Sequence, residues 1–320
     1  MAGFAAATIL TGCGESGSSR DTTTTTSGKG CAPVAGEELV VLADDKNLQT
    51  VDNIIPAINT KAAEPPLVAA LDKASAALDT PTLIGLNRKA DLERQTPANI
   101  AKEFVAEKKL TEGLAKGSGS VVVGAANFSE NLILANIYAL TLQGAGYTAT
   151  VKTIGNRELY LPALTKGEIQ VVPEYVGTLT EFLNKQQNGA NAKPLASSDL
   201  DKTVAALTEL GKKAGLTFGK PSEAADQNAF AVTKKLADEK GLKTLSDFAA
   251  KCSGEASVLG GPPECTERPF CKPGLERTYN INFGKFLALD AGGPLTKTGI
   301  KSGKVTLGLV FSSDGSLATG

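Results

Sequence analysis

The stretch that decides the fold runs Val121-Val122-Val123-Gly124, then Asn127-Phe128-Ser129-Glu130-Asn131, then Gly155-Asn156-Arg157-Glu158, and closes on Pro173-Glu174-Tyr175-Val176-Gly177-Thr178. The apolar run at its start reads as a strand, and the apolar periodicity after Asn131 reads as a helix. A second helix follows Glu158, a turn falls at Lys166-Gly167-Glu168, and a second strand spans 169–172. Polar and aromatic residues gather where each strand hands over to the next element. That is where open α/β sheets bind small molecules.

Asn-Phe-Ser-Glu after a strand, and Pro-Glu-Tyr-Val-Gly-Thr, resemble hallmarks of the solute-binding proteins of osmoprotectant ABC importers, the glycine betaine/choline-binding family. Both motifs stand in the family's order and roughly its spacing. The resemblance implies an α/β fold, a two-lobed periplasmic-binding-protein clamshell with two crossing strands, at 226–232 and 39–44. In the family, the segment matching 127–130 lies near the mature N-terminus. The strand at 39–42 with Asp44-Asp45-Lys46, and the helices ending at 96–114, match its C-terminus. Here that portion comes first. The chain also stops at Ser312-Ser313-Asp314-Gly315, where the family would run into the strand matching 39–42. The resemblance therefore implies a circular permutant joined through the Gly/Ser segment 116–120, an arrangement tolerated when termini are close and exposed. An unrelated N-terminal domain is the alternative. The expected division is 1–30 as signal and tether, 44–225 as lobe 1, and 31–43 with 226–320 as lobe 2.

Two segments share one plan, helix, glycine, strand, polar loop: 159–178 and 298–315. Glycine is expected at the helix C-cap in both, Gly167 and Gly303, which suits two lobes whose loops face each other. Leu67, Leu71, Ala74 and Leu78 share one helical face, 82–90 reads as a short helix, and Thr96-Pro97 as the start of another.

Composition narrows the function. The 320 residues can bury one large core or two medium ones, and 42% hydrophobic with 21% charged residues reads as globular. A net charge of −1 argues against nucleic acid, which requires a concentrated basic surface. There is no histidine, so the usual general base and the commonest metal ligand are missing. No Gly-x-Ser-x-Gly elbow or phosphate loop stands in for them. The expectation is a binding protein that serves transport, not an enzyme, with no cofactor and no metal; a ligand-sensing or adhesion module on the same fold, without transport, is the alternative.

The apolar run 2–10 ends in Leu10-Thr11-Gly12-Cys13, which resembles a bacterial lipobox with lipid on Cys13. No Lys or Arg precedes the run, so this reading requires a start further upstream or a trimmed sequence. The Ser/Thr/Gly-rich segment 14–30 suits a tether. The expected location is extracytoplasmic, on the bacterial cell membrane, as a monomer that serves an ABC permease with its ATPase. Cys31, Cys252, Cys265 and Cys271 remain, an even number that favours disulfides outside the cytoplasm. Three pairings are possible. Cys265 with Cys271, closing a small loop around Pro269, is preferred and leaves Cys31 with Cys252; buried free thiols are the alternative.

The ligand implied by the resemblance is a small zwitterion or cation: glycine betaine, choline, carnitine or ergothioneine. A methylated nitrogen offers no N–H to bond, so proteins hold it against aromatic faces, and a carboxylate is held by Arg, Lys or backbone N–H groups. Tyr175 is the leading aromatic candidate, with Phe128 and Asn127 after the first strand. Glu174 orients a neighbour or balances a cation. Thr178 faces the ligand or caps a helix at 179–183. Asn156 and Arg157 follow a strand, with Tyr160 one helical turn on. Arg157 either meets a ligand carboxylate or pairs with Glu158 or Glu174. In lobe 2, Asn228 and Phe230 match a family pattern in which Phe230 replaces a cage tyrosine. Glu264, Asp290 and Ser312 complete the set, with Phe270 near Glu264.

Overall fold

In a computed structural model, which describes Met1 and residues 28–317, the chain builds two five-stranded sheets. The Cys13 lipobox and Gly320 lie outside the described residues. The elements in chain order begin with β1 (Leu39–Leu42), β2 (Ile54–Asn59), α1 (Pro65–Ala76), α2 (Thr80–Asp91) and α3 (Pro97–Glu107). Next come β3 (Ser120–Ala125), α4 (Ser129–Gly144), β4 (Thr148–Thr153), α5 (Arg157–Lys166), β5 (Val171–Tyr175) and α6 (Val176–Asn188). Then follow α7 (Leu200–Ala214), β6 (Leu216–Phe218), β7 (Asn228–Thr233), α8 (Lys234–Lys240) and α9 (Leu245–Cys252). The last are β8 (Gly254–Gly261), α10 (Lys272–Tyr279), β9 (Phe283–Ala288), α11 (Pro294–Lys301) and β10 (Leu307–Phe311).

The sheets repeat one design. One runs β4-β3-β5-β2-β6 and the other β9-β8-β10-β7-β1. In each, three parallel strands are followed by an antiparallel one, β2 or β7, and by an outer strand antiparallel to that. Each antiparallel strand is reached from the outer strand of the opposite lobe. Residues 43–53 carry the chain from β1 to β2, and 219–227 carry it back from β6 to β7. The two crossings touch, with Asp226 N donating to Asp52 O at 3.1 Å and Asn53 bridging Ala225.

Lobe 1 has apolar layers on both sheet faces. α1–α4 cover one face through Leu71, Ile100, Phe104, Ile133 and Tyr138. α5–α7 cover the other through Leu161, Leu164, Leu179 and Leu207. Capping explains the helix starts: Thr96 accepts from Asn99 N ahead of α3, and Asp79 from Thr82 N ahead of α2. α5 ends at Gly167 in the left-handed conformation (φ 80°). α11 differs from expectation, since Ser302 is the C-cap and Gly303 follows it.

Two prolines shift the expected strands. Strand β2 holds Pro56 in a sequence not read as a strand at all, and β5 runs on through Pro173-Glu174-Tyr175, not stopping at Val172. The prolines face each other in the ladder, Pro56 opposite Pro173. Their carbonyls point elsewhere, Pro56 O accepting from Gly219 N and Pro173 O from Asn131 Nδ2. Neither missing N–H is therefore demanded by the other strand.

Disulfides join Cys31 to Cys252 and Cys265 to Cys271. No helix among the described residues is long and apolar enough to cross a membrane.

Candidate functional site

A cavity of about 430 Å³ lies between the lobes, at the ends of β3 and β5 on one side and of β10 and β7 on the other. Lobe 1 supplies Phe128 and Tyr175, whose ring centroids are 6.3 Å apart. Lobe 2 supplies Phe311, stacked on Phe128 at 5.6 Å, and Phe270. The loop bearing Asn127 and Phe128 is fixed by Asn131, whose Oδ1 accepts from Ala126 N while its Nδ2 donates to Pro173 O. Tyr175 donates its hydroxyl to Glu130 Oε1 at 2.7 Å, which leaves the ring face towards the aromatic group.

Below this wall is a buried polar chain. Glu174 is fully buried and accepts from Arg157 Nε at 2.9 Å and Nη2 at 2.7 Å, and from the Tyr160 hydroxyl at 2.8 Å. Burial works against the charged guanidinium, but the Glu174 carboxylate prevails and holds the pKa of Arg157 well above its usual range. Arg157 Nη2 also donates to Thr178 Oγ1 at 2.9 Å. At the end of the chain is Asp52, whose Oδ1 accepts from Gly177 N at 2.8 Å and Thr178 N at 3.0 Å. A residue of the crossing segment thus caps α6 from outside the helix. Gly177 makes this approach possible, because a Cβ there would stand 2.2 Å from Val51 O. Burial raises the Asp52 carboxyl to about 7.

The opposite crossing carries the equivalent residue. Asp226 accepts from Ser313 N at 3.1 Å, and Ser313 Oγ donates to Glu130 Oε2 at 2.5 Å across the lobes. Asn87 Nδ2 joins both, donating to Glu130 Oε2 and Ser313 O. Burial raises the carboxyls of both Glu130 and Asp226, and the charge of Glu130 raises that of Asp226 further. The lobes are also tied by Arg268 to Glu158 at 2.9 Å, by Gln227 Nε2 to Thr50 O, and by Lys297 to Asp91 at 3.3 Å.

The structure brings Asn127, Phe128, Asn156, Arg157, Tyr160, Tyr175, Thr178, Asn228 and Glu264 to this cavity. Four expected residues stand elsewhere. Phe230 is in the middle of β7, opposite both Leu42 and Leu309, and is buried in the lobe 2 core; only the strand end, at Asn228, reaches the cavity. Glu174 lies beneath the surface as the partner of Arg157. Asp290 caps α11, accepting from Leu295 N and Thr296 N, and faces a smaller cavity of about 190 Å³ behind the Phe128–Phe311 stack. Ser312 accepts from Gln227 N and supports Asp226. Thr178 is not the cap of a helix at 179–183, because α6 begins at Val176 and Asp52 caps it. Glu158 pairs with Arg268, which leaves Glu174 as the partner of Arg157.

Sequence reasoning missed Asp52, Asp226, Phe182, Arg268 and Phe311, all of which line the cavity. Phe311 carried a signal: Leu307, Leu309 and Phe311 alternate along β10, and the last falls at the strand end.

The chain matches the substrate binding domain of ABC-type glycine betaine transport system over residues 32–107 and 119–319. It is similar to the glycine betaine-binding protein YehZ of Escherichia coli K12, 27% identical over 210 residues that cover 63% of this chain and 67% of that protein. It is also similar to a glycine-betaine-binding protein of Pseudomonas aeruginosa, 28% identical over 214 residues that cover 64% and 65%. The chain thus spans about two thirds of the length of these relatives. A solved glycine betaine/carnitine/choline ABC transporter structure aligns at 20% identity with a TM-score of 0.37, covering 60% of this chain and 68% of that one. With the family match extending over most of its length, this chain belongs to the family of substrate-binding domains of ABC-type glycine betaine transport systems.

Proposed function

We propose that this chain is the extracytoplasmic ligand-binding component of an ABC importer, held at the bacterial membrane by lipid on Cys13. In this reading it takes glycine betaine or a related quaternary-ammonium compound (choline, carnitine, ergothioneine) by lobe closure. The observation that carries the reading is the composition of the cavity. Phe128 and Tyr175 from one lobe and Phe311 and Phe270 from the other present ring surfaces beside the buried carboxyl of Asp52. Such rings attract a methylated cation through their quadrupoles, without needing an N–H donor. Contributions from both lobes mean that the full set of contacts exists only in the closed form, the form a permease would dock. A thermal-shift screen with glycine betaine, choline, carnitine, ergothioneine and common amino acids tests this. The quaternary-ammonium compounds should raise the melting temperature, increasingly with the logarithm of ligand concentration above Kd. Stabilisation by amino acids alone would overturn the reading.

The permuted order belongs to the same proposal. In its support, the two matched pieces of the chain flank 108–118, the segment between α3 and β3. Residues near both ends of the matched stretch also touch α11: Gly36 N donates to Lys301 O, and Ser316 Oγ accepts from Lys297 Nζ.

A further inference from the structure

The two crossings put equivalent aspartates at the base of the cavity, and their surroundings differ. Asp226 accepts at Oδ1 from Ser313 N and Ser312 Oγ and has the Glu130 carboxyl beside it. Asp52 is half engaged. Gly177 N, Thr178 N and Thr178 Oγ1 all bond to Oδ1. Among the described residues nothing donates to Oδ2, although Asp52 is only 5% exposed and what it lines is the cavity.

The basic side chains of the cavity do not answer this free oxygen. Arg157 commits Nε and Nη2 to Glu174 and Thr178. Arg268 is paired with Glu158 at 2.9 Å and lies 3.7 Å from Glu264. Lys185 reaches only Glu267 O, at 3.4 Å. Oδ2 is therefore the carboxylate oxygen left to the cavity, and once an enclosed ligand excludes water from it a facing cation offsets the loss of hydration. A quaternary ammonium needs no hydrogen bond to do so, since its charge acts through its methyl groups at short range.

On the quaternary-ammonium reading above, we propose that Asp52 is the counter-charge for the ligand's cationic head and that it biases this site towards ligands of net positive charge, choline-like rather than betaine-like. A zwitterion gains the same attraction at its nitrogen, but must also place a carboxylate among Asp52, Asp226, Glu264 and Glu267. The cations left to receive it are Lys185, held only by Glu267 O, and Arg157, through the Nη1 that carries no hydrogen bond among the described residues. The aromatic surface serves both ligands alike, so discrimination between them falls to the charges.

The test uses calorimetry on the full chain at pH 8 with choline, glycine betaine and tetramethylammonium. Asp52→Asn keeps an oxygen to accept from Gly177 and Thr178, so the cap on α6 survives while the charge goes. The proposal expects choline and tetramethylammonium to weaken about tenfold or more in D52N, with glycine betaine changed by less than about threefold. Equal losses for choline and betaine, or none, would make Asp52 a helix cap only and overturn the proposal. The wild-type protein gives a reading independent of whether D52N folds: betaine bound more tightly than choline overturns the bias. Wild type that binds none of the three overturns the quaternary-ammonium reading itself, an outcome distinct from the others.

Discussion

Arg157 and Glu174 form a two-point ion pair beneath the cavity, with Nε 2.9 Å from Oε1 and Nη2 2.7 Å from Oε2, and both side chains almost wholly removed from solvent. Two parallel N–H···O bonds fix the plane of the guanidinium. The pair thereby ties the start of α5 to the end of β5 and, through Thr178, to the crossing at Asp52.

Breaking that pair should cost stability before it costs specificity. Glu174→Ala leaves the Arg157 charge buried without its partner, a loss of about 3–5 kcal/mol. Urea denaturation of the variant against wild type measures it. A difference under about 1 kcal/mol would mean that water reaches Arg157 and screens it.

Tyr175 is expected to act through its ring. Tyr175→Ala should weaken a quaternary-ammonium ligand by about 1–3 kcal/mol, from lost cation–π attraction and apolar contact. Tyr175→Phe keeps the ring and gives up only the bond to Glu130, so calorimetry should find its affinity near wild type. Equal losses in both variants would assign the effect to Glu130 and its interlobe network.

The buried acids give the free protein a pH dependence of definite sign. Asp52, Glu130 and Asp226 all hold their protons to higher pH in the fold than in the unfolded chain. Between the unfolded carboxyl pKa, about 4, and pH 7 the folded state therefore binds more protons, and stability falls as pH rises. With no histidine in the chain, few other side chains titrate in that window. The melting temperature of the ligand-free protein should drop from about pH 5 to pH 8. A rise over that range would contradict the protonation assigned to these groups.

Much of this architecture was legible in the residues. Thr96-Pro97 marked the start of α3, and Gly167 the end of α5, because caps and breakers act on their immediate neighbours. The repeated helix–strand–loop plan anticipated two equivalent lobes. Strand β2 was invisible because Pro56 reads as a strand breaker, and only pairing with a second proline, at 173, makes it harmless. Phe230, expected at the cleft, lies in the core while Phe311 stands at the cleft, for a related reason: register decides which strand residue reaches the cleft, and register is set by neighbouring strands. Asp52 gave no local signal at all. The N–H groups that hold it belong to residues 125 and 126 positions away.

The proposed permutation makes a prediction about connectivity. A chain that begins at residue 117, runs to 317, continues through a Gly/Ser linker to residue 28 and ends at 116 keeps every described strand pairing and both disulfides. It should fold, melt within a few degrees of wild type and bind ligand equally well, since new ends at an exposed segment disturb little. Loss of cooperative melting in such a chain would show that the present order is needed for folding.

The most direct test of the central claim is isothermal titration calorimetry of the purified full chain with choline and glycine betaine, using ethanolamine and glycine as unmethylated counterparts. An aromatic cavity with a buried carboxyl predicts saturable one-to-one binding of at least one methylated compound, with little or no binding of its unmethylated partner. Binding of ethanolamine or glycine as tight as that of the methylated forms, or no binding by any of the four, would contradict it.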